Sequence, residues 1–120
     1  MRPRAATGTW LIAVSAIGLP FGVQADEPPV PTAQRQQALV RIVRQDCGSC
    51  HGMLLTGGLG PALTREALAD RPLPTLVATV MHGRPGTPMP GWRSMLSEAD
   101  AQWIAGQLQA GFPAEPKGTR

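Results

Sequence analysis

Cys47-Gly48-Ser49-Cys50-His51 is the stretch on which the fold and the chemistry of this 120-residue chain depend. It holds both cysteines of the chain and one of its two histidines. A disulfide between residues three apart closes almost no loop, so it would add little to the stability of a fold. The paired thiols therefore indicate chemistry rather than a structural cross-link.

A C-x-x-C-H motif is typical of covalent haem attachment. Two thiols at this spacing can add to the two vinyl groups of one haem, which makes Cys47 and Cys50 the candidate thioether residues. The histidine that follows directly, His51, is then the candidate proximal ligand of the iron. The sequence thus predicts one covalent haem c, with its iron, in each chain.

Two other kinds of site use cysteines at this spacing. A thioredoxin-like redox pair expects a preceding strand and a βαβ unit, whereas the flanks here are predicted to be helical or rich in glycine. A zinc site needs four ligands, and His82 would have to join Cys47, Cys50 and His51. Adjacent residues such as Cys50 and His51 rarely bind one tetrahedral ion.

The sixth ligand of the iron is predicted to be a methionine, because a soft neutral thioether suits an electron carrier. Met89 is the preferred candidate, since Pro88 and Pro90 stiffen the loop that carries it. The rival is His82, through bis-histidine ligation, although a histidine at a helix end more often caps that helix.

Three further methionines follow the motif and are assigned other roles. Met81 completes an apolar helical stripe and is expected in the core. Met53 lies too near the motif to reach the opposite haem face, and Met95 is expected to pack before the last helix.

Several neighbouring residues are candidates for supporting the cofactor. The carbonyl of Pro61, or of its neighbour, is expected to face the free ring nitrogen of His51 and fix its tautomer. Trp92 is a candidate for binding a haem propionate through its indole N–H. Arg84 and Arg93 are charged candidates for the same role, with solvated surface as the alternative.

The segment Met53-Leu54-Leu55 directly follows the motif. It is expected either to form an apolar rim for transient docking at the haem edge or to be buried in the core.

The amino terminus resembles a secretory signal peptide. Arg2 and Arg4 precede an apolar run over residues 10–23, and Val23-Gln24-Ala25 supplies small residues for cleavage. The run is shorter than the roughly 20 residues that span a bilayer, although an uncleaved anchor is the alternative. The predicted organisation is a signal peptide (1–25), a Pro-rich leader (26–31), one domain (32–112) and a C-terminal tail (113–120). We therefore expect a periplasmic protein with no stable membrane insertion after cleavage.

The charge balance gives no support for a nucleic-acid partner. Loss of Arg2 and Arg4 from the eleven basic residues leaves nine against eight acidic ones, a net charge of +1. The basic residues are scattered along the chain rather than clustered.

The apolar spacing predicts an all-α fold. One helix is expected from the Thr32 cap to about Gln45, with a buried stripe of Leu39, Val40, Ile42 and Val43. The other predicted helices cover 64–70, 74–82 and the segment from Ser97 to Gly111, where Ser97 and an acid three residues later indicate a cap. The stripe predicted for the 74–82 helix is Leu73, Leu76, Val77, Val80 and Met81, with Gly83 just past its end. The inner face predicted for the last helix is Ile104, Ala105 and Leu108.

Over residues 32–110, the order of helix, C-x-x-C-H motif, Gly-Pro loop, Met-bearing loop and C-terminal helix resembles the class I cytochromes c. Three stretches, 57–64, 82–92 and 96–98, are more specifically similar to the small NirC-type monohaem cytochromes encoded beside cytochrome cd1 nitrite reductase in denitrifying bacteria. The resemblance implies a cytochrome c-like fold of three to five short helices around one haem.

The same resemblance implies Cys47 and Cys50 as haem thioethers, with His51 and Met89 as the axial ligands. It also implies single-electron transfer to the nitrite reductase by a carrier that is not an enzyme. An accessory role in d1 haem maturation is the alternative. A haem-based sensor or catalyst is a further one, which would require a labile sixth ligand.

Overall fold

A computed structural model describes residues 29–114 of the chain. The elements in this range are α1 (Ala33–Ile42), a π-helical turn (Val43–Cys47), α2 (Gly48–His51), α3 (Arg65–Leu68), α4 (Leu73–His82) and α5 (Glu98–Ala110). No strand occurs between residues 29 and 114, in agreement with the predicted all-α fold. The predicted signal peptide, part of the leader and most of the C-terminal tail lie outside the described residues.

The first helical run carries the cysteine motif at its end. Thr32 caps α1, its side chain accepting the Arg35 N–H at 3.2 Å. The predicted end near Gln45 is wrong, because helical backbone continues through the π-helical turn to His51. Gly48 does not stop the helix: it is buried where the chain folds back, and a Cβ there would lie 3.4 Å from Met53 Cα.

Helix α4 matches its predicted bounds within one residue, and Gly83 follows its end as expected. The buried apolar stripe that was predicted for this helix is only partly confirmed. Val77 is buried, and Leu76, Val80 and Met81 pack half-buried against the two core clusters. Leu73, the first residue of α4, is 40% exposed, so its predicted place in the buried stripe is wrong.

Helix α5 begins with the predicted cap. Ser97 Oγ accepts the Asp100 N–H at 3.1 Å, and the Asp100 carboxylate accepts the Ser97 N–H at 3.0 Å. This reciprocal pair is a capping box. The helix buries the predicted inner face of Ile104, Ala105 and Leu108.

One core cluster joins the helices to the segment after the motif. Its buried members come from α1, the π-helical turn, α3, α5 and two loops: Leu39, Val43, Leu55, Leu68, Leu96, Ile104 and Leu108. Since Leu55 is four residues beyond His51 and only 2% exposed, the chain leaving the motif is anchored in this core.

An ion pair ties α1 to the start of α5. Arg35 donates to both carboxylate oxygens of Asp100, at 3.2 and 2.8 Å, and to the carbonyl of Met95 at 3.2 Å. The hydrogen bond from Arg35 is the main cause that lowers the pKa of Asp100 below its usual 3.8. One carboxylate therefore caps α5 and links the two terminal helices.

We expect Asp100→Ala to lower the free energy of unfolding by about 2 kcal/mol, because it removes both the cap and the ion pair. Arg35→Met keeps the cap and removes only the half-exposed ion pair. It should therefore lower the free energy of unfolding by less than about 1 kcal/mol. Chemical denaturation of the two variants and the wild type measures both values.

The difference between wild type and Asp100→Ala should depend on pH. A carboxylate with a lowered folded-state pKa stabilises the fold above its unfolded pKa of about 3.8 and loses that effect as the pH falls through the folded value. A difference that persists unchanged well below pH 3.8 would contradict this assignment.

Candidate functional site

The three residues of the motif share one face of a helix. Cys47, Cys50 and His51 follow the i, i+3, i+4 spacing within one continuous helical run, which places their side chains side by side. Both cysteines are free thiols; Cys47 is half-buried and Cys50 is exposed. His51 is buried, with 8% of its surface exposed.

The imidazole of His51 is held in one tautomer. Its Nδ1 lies 2.7 Å from the carbonyl oxygen of Pro61. Because a carbonyl can only accept a hydrogen bond, Nδ1 carries the proton and donates it. The lone pair of Nε2 is then left to bind a metal, with its basicity raised by the bond at the other nitrogen.

The loop after the motif folds against the same ring. The N–H groups of Gly57 and Gly60 donate to the carbonyls of His51 and Cys50, each at 2.8 Å. A Cβ at Gly60 would lie 2.7 Å from Cε1 of His51. A side chain at residue 60 would therefore displace the imidazole, so the glycine is required for this contact.

The thiol chemistry does not fit a thioredoxin-like nucleophile. Burial, and next the charge of Asp46, raises the pKa of Cys47 to about 11. A reactive redox cysteine needs a lowered pKa instead. The helical flanks of the motif also differ from the strand that such a site requires.

The zinc alternative has no closed set of ligands. Within residues 29–114, no three His, Cys, Asp or Glu side chains lie together in an arrangement that would hold a metal ion. His82, the proposed fourth ligand, is exposed at the end of α4.

Met89 is half-buried in the loop that follows α4. Met81 is also half-buried, but it packs against the second core cluster of Val77, Ala101 and Ala105. Its position is that of a core residue between α4 and α5.

Two methionines are exposed. Met53 is 60% exposed beside the motif, and Met95 is 57% exposed before α5. The expectation that Met95 packs is wrong: its N–H donates to the Trp92 carbonyl and its own carbonyl accepts from Arg35, so the main chain alone is engaged.

Trp92 lies half-buried against the main core cluster, and its main-chain N–H donates to the Val80 carbonyl at 3.0 Å. Arg84 and Arg93 are exposed. The structure thus brings Trp92 to the end of α4 and leaves both arginines at the surface.

Three large apolar side chains flank the motif at the surface. Met53, Leu54 and Leu59, here called the apolar rim, are 60%, 77% and 94% exposed. Leu55 belongs to the core instead. The exposure of Leu59 was not predicted from the sequence, although a leucine between Gly58 and Gly60 has only glycines beside it to pack against.

This donor set fits a covalently attached haem. Two free thiols share a helix face with the imidazole of His51. Because Nδ1 carries the ring proton, Nε2 has a free lone pair. A half-buried methionine, Met89, lies in a separate loop that follows α4.

Residues 34–106 match the protein family described as "Cytochrome C oxidase, cbb3-type, subunit III". The chain is also 32% identical, over 102 residues, to the dihydro-heme d1 dehydrogenase of Pseudomonas aeruginosa. That match covers 85% of this chain but only 19% of the dehydrogenase. A domain of this kind therefore also occurs as part of a larger protein.

Two further proteins are similar to this chain over most of their own length. Cytochrome c55X of Pseudomonas aeruginosa is 51% identical over 110 residues, which are 92% of this chain and 91% of that protein. The solved structure of a "c-type cytochrome NirC" is 57% identical and superposes with a TM-score of 0.66, covering 67% of this chain and 94% of the other. They confirm the resemblance to NirC-type cytochromes, a class defined by covalently bound haem c. The chain belongs to the cytochrome c55X family of NirC-like c-type cytochromes.

Proposed function

We propose that this protein is a periplasmic carrier of single electrons that delivers them to cytochrome cd1 nitrite reductase in denitrification. The observation that carries the proposal is the hydrogen bond from His51 to Pro61, which leaves Nε2 free directly beside two thiols on one helix face. The similarity to the NirC cytochrome supports the choice of partner.

Four side chains would hold the cofactor. Cys47 and Cys50 would form the thioethers of one haem per chain, and His51, through Nε2, and Met89 would be the ligands of its iron. When bound, the haem supplies an iron that changes reversibly between ferric and ferrous states. With His51 and Met89 both bound to the iron, no position would remain for a substrate, so the chain would act as a carrier rather than an enzyme.

Two other residues support the site in this proposal. Pro61 keeps His51 in the tautomer that can bind iron. Trp92, whose main-chain N–H bonds to the last turn of α4, would donate its indole N–H to a haem propionate, while Arg84 and Arg93 stay solvated.

Export follows from the amino-terminal pattern. We propose that residues 1–25 are a cleaved signal peptide, 26–31 a leader, 32–112 the cytochrome domain and 113–120 a tail. Among the described residues 29–114, no helix is long and apolar enough to cross a membrane. The near-neutral charge after cleavage gives no basis for nucleic-acid binding.

The apolar rim is the proposed docking surface for the redox partner. Leu59 lies in the loop whose Gly60 N–H bonds to Cys50, and Met53 and Leu54 follow the motif directly. Exposed apolar contacts around an attachment motif suit the small, short-lived interfaces of redox proteins.

A second candidate function is an accessory role in d1 haem maturation. The observation that favours it is the related segment within dihydro-heme d1 dehydrogenase. In that role the protein would accept single electrons as the dihydro-haem is oxidised. Two molecules of ferric carrier would take up the two electrons released, and the two protons would pass to solvent.

Leu59→Asp should slow electron transfer from the reduced protein to cytochrome cd1 by about tenfold, because it places a charge within the apolar rim. Stopped-flow mixing with the oxidised reductase measures the second-order rate. Val30→Asp is the matched control, since Val30 is 73% exposed but lies 17 residues before the motif. It should leave the rate unchanged.

An absence of electron transfer from the wild-type protein to cytochrome cd1 would contradict the carrier function. Reduction of the ferric protein by the dehydrogenase acting on dihydro-haem d1 would then favour the maturation role.

Met89→Ala should abolish the methionine-to-ferric-iron charge-transfer band, because it removes the distal sulfur. Met81→Ala is the matched control: it shortens a methionine in the core and should keep the band. Absorption spectra of the ferric variants measure the outcome. Loss of the band in Met81→Ala alone would show that the assignment of Met89 as distal ligand is wrong. A high-spin spectrum of the wild type would indicate a sensor or catalyst whose iron has an open sixth position.

A further inference from the structure

The loop of residues 83–92, here called the Met89 loop, is tied to α4 at both ends. At its start the N–H of Gly83 donates to the Thr79 carbonyl at 2.8 Å. At its end the N–H of Trp92 donates to the Val80 carbonyl at 3.0 Å. The loop therefore leaves the last turn of α4 and returns to the same turn.

Both main-chain polar groups of Met89 are bonded inside this loop. Its carbonyl accepts the Arg84 N–H at 3.2 Å, and its N–H donates to Oγ1 of Thr87 at 3.3 Å. The Thr87 hydroxyl in turn donates to the Arg84 carbonyl at 2.7 Å. Hydrogen bonds to Arg84 and Thr87 thus hold the backbone of Met89 in place within the loop.

The two ends of the Met89 loop cross each other at Gly83 and Gly91, where main chain lies against main chain. A Cβ on Gly83 would lie 2.6 Å from the Met89 carbonyl oxygen, 2.6 Å from the Pro90 carbonyl carbon and 2.7 Å from the Gly91 nitrogen. These are main-chain atoms, which cannot turn aside as the end of a side chain can.

The same crossing is tight from the opposite side. A Cβ on Gly91 would lie 2.7 Å from the Met81 carbonyl oxygen and 2.9 Å from the His82 carbonyl carbon. Neither glycine can carry a side chain unless the segment from Met89 to Gly91 moves away from α4.

We propose that Gly83 and Gly91 are positioning residues that hold the Met89 sulfur on the haem iron. Their close main-chain contact fixes the distance between α4 and the Met89 segment, and this distance decides whether the sulfur reaches the iron. The inference rests on the proposed role of Met89 as distal ligand. A methyl group at either glycine lifts the segment and makes the sixth position accessible to an external ligand.

Gly86 in the same loop provides a matched control. Its φ is +77°, so alanine at residue 86 carries the cost of a left-handed backbone. No heavy atom lies within 4 Å of a Cβ at Gly86, so this variant adds no collision. Gly83, at φ +71° and ψ −166°, carries a larger backbone cost in addition to the collision. Gly91 has no positive φ, so Gly91→Ala adds the collision without that cost.

The experiment titrates imidazole into the ferric, haem-loaded wild type, Gly83→Ala, Gly91→Ala and Gly86→Ala proteins. We expect Gly83→Ala and Gly91→Ala to bind imidazole at least about tenfold more tightly, because the protein ligand competes less well for the iron. Gly86→Ala should keep the wild-type affinity, although its thermal midpoint falls because of its positive φ. If Gly83→Ala does not fold, Gly91→Ala tests the same crossing from its other side.

Wild-type imidazole affinity in the Gly83→Ala and Gly91→Ala proteins would overturn the inference. An equal gain in Gly86→Ala would overturn it too, since backbone cost rather than the crossing would then be the cause. The Met89→Ala protein separates this result from a failed ligand assignment. If its charge-transfer band survives, Met89 is not the ligand and the positioning role falls with it.

Discussion

The site depends on one hydrogen bond, 2.7 Å long, between Nδ1 of His51 and the carbonyl of Pro61. It sets the tautomer of the imidazole and so determines that Nε2, and not Nδ1, is available to iron. The loop that supplies this carbonyl is fastened by the N–H of Gly60 to Cys50, within the motif itself. Leu55, buried in the core, anchors the same loop to the helices. The proposed ligand atom is thus positioned by the segment that follows the motif, through hydrogen bonds at Gly60 and Pro61 and through the apolar packing of Leu55.

The helices provide the rigid frame for two loops that carry the chemistry. Helices α1 and α5 are joined by the Arg35–Asp100 pair and by the shared core, and α4 packs on α5. The motif ends the first helical run, while the Met89 loop starts and finishes at the last turn of α4. The two iron ligands of the proposal therefore lie at the end of a helix, for His51, and in a loop fastened to another helix, for Met89. In both places short glycine-rich segments bring main chain against main chain. Such contacts suit a carrier, since a site that changes little between two oxidation states needs its ligands held in place.

Much of this arrangement was predictable from the sequence, because its signals are local. The caps at Thr32 and Ser97, the inner face of α5 and the motif itself each depend on residues within a few positions of one another. The errors have two sources. The first helical run passes the predicted end at Gln45 through a π-helical turn, which the apolar spacing does not indicate. Leu73 and Met95 are exposed, and Leu59 was overlooked, because hydrophobicity alone does not show whether a neighbouring segment lies there to cover the side chain.

The central claim is that the two thiols and the imidazole of residues 47–51 hold one haem on an exported chain. Intact-mass measurement of the protein purified from the periplasm of a host able to mature c-type cytochromes, combined with a pyridine haemochrome spectrum, tests it most directly. The account predicts a coloured protein whose mass equals that of a chain starting at Asp26 plus one haem. A colourless protein with the mass of its amino acids alone would contradict the account.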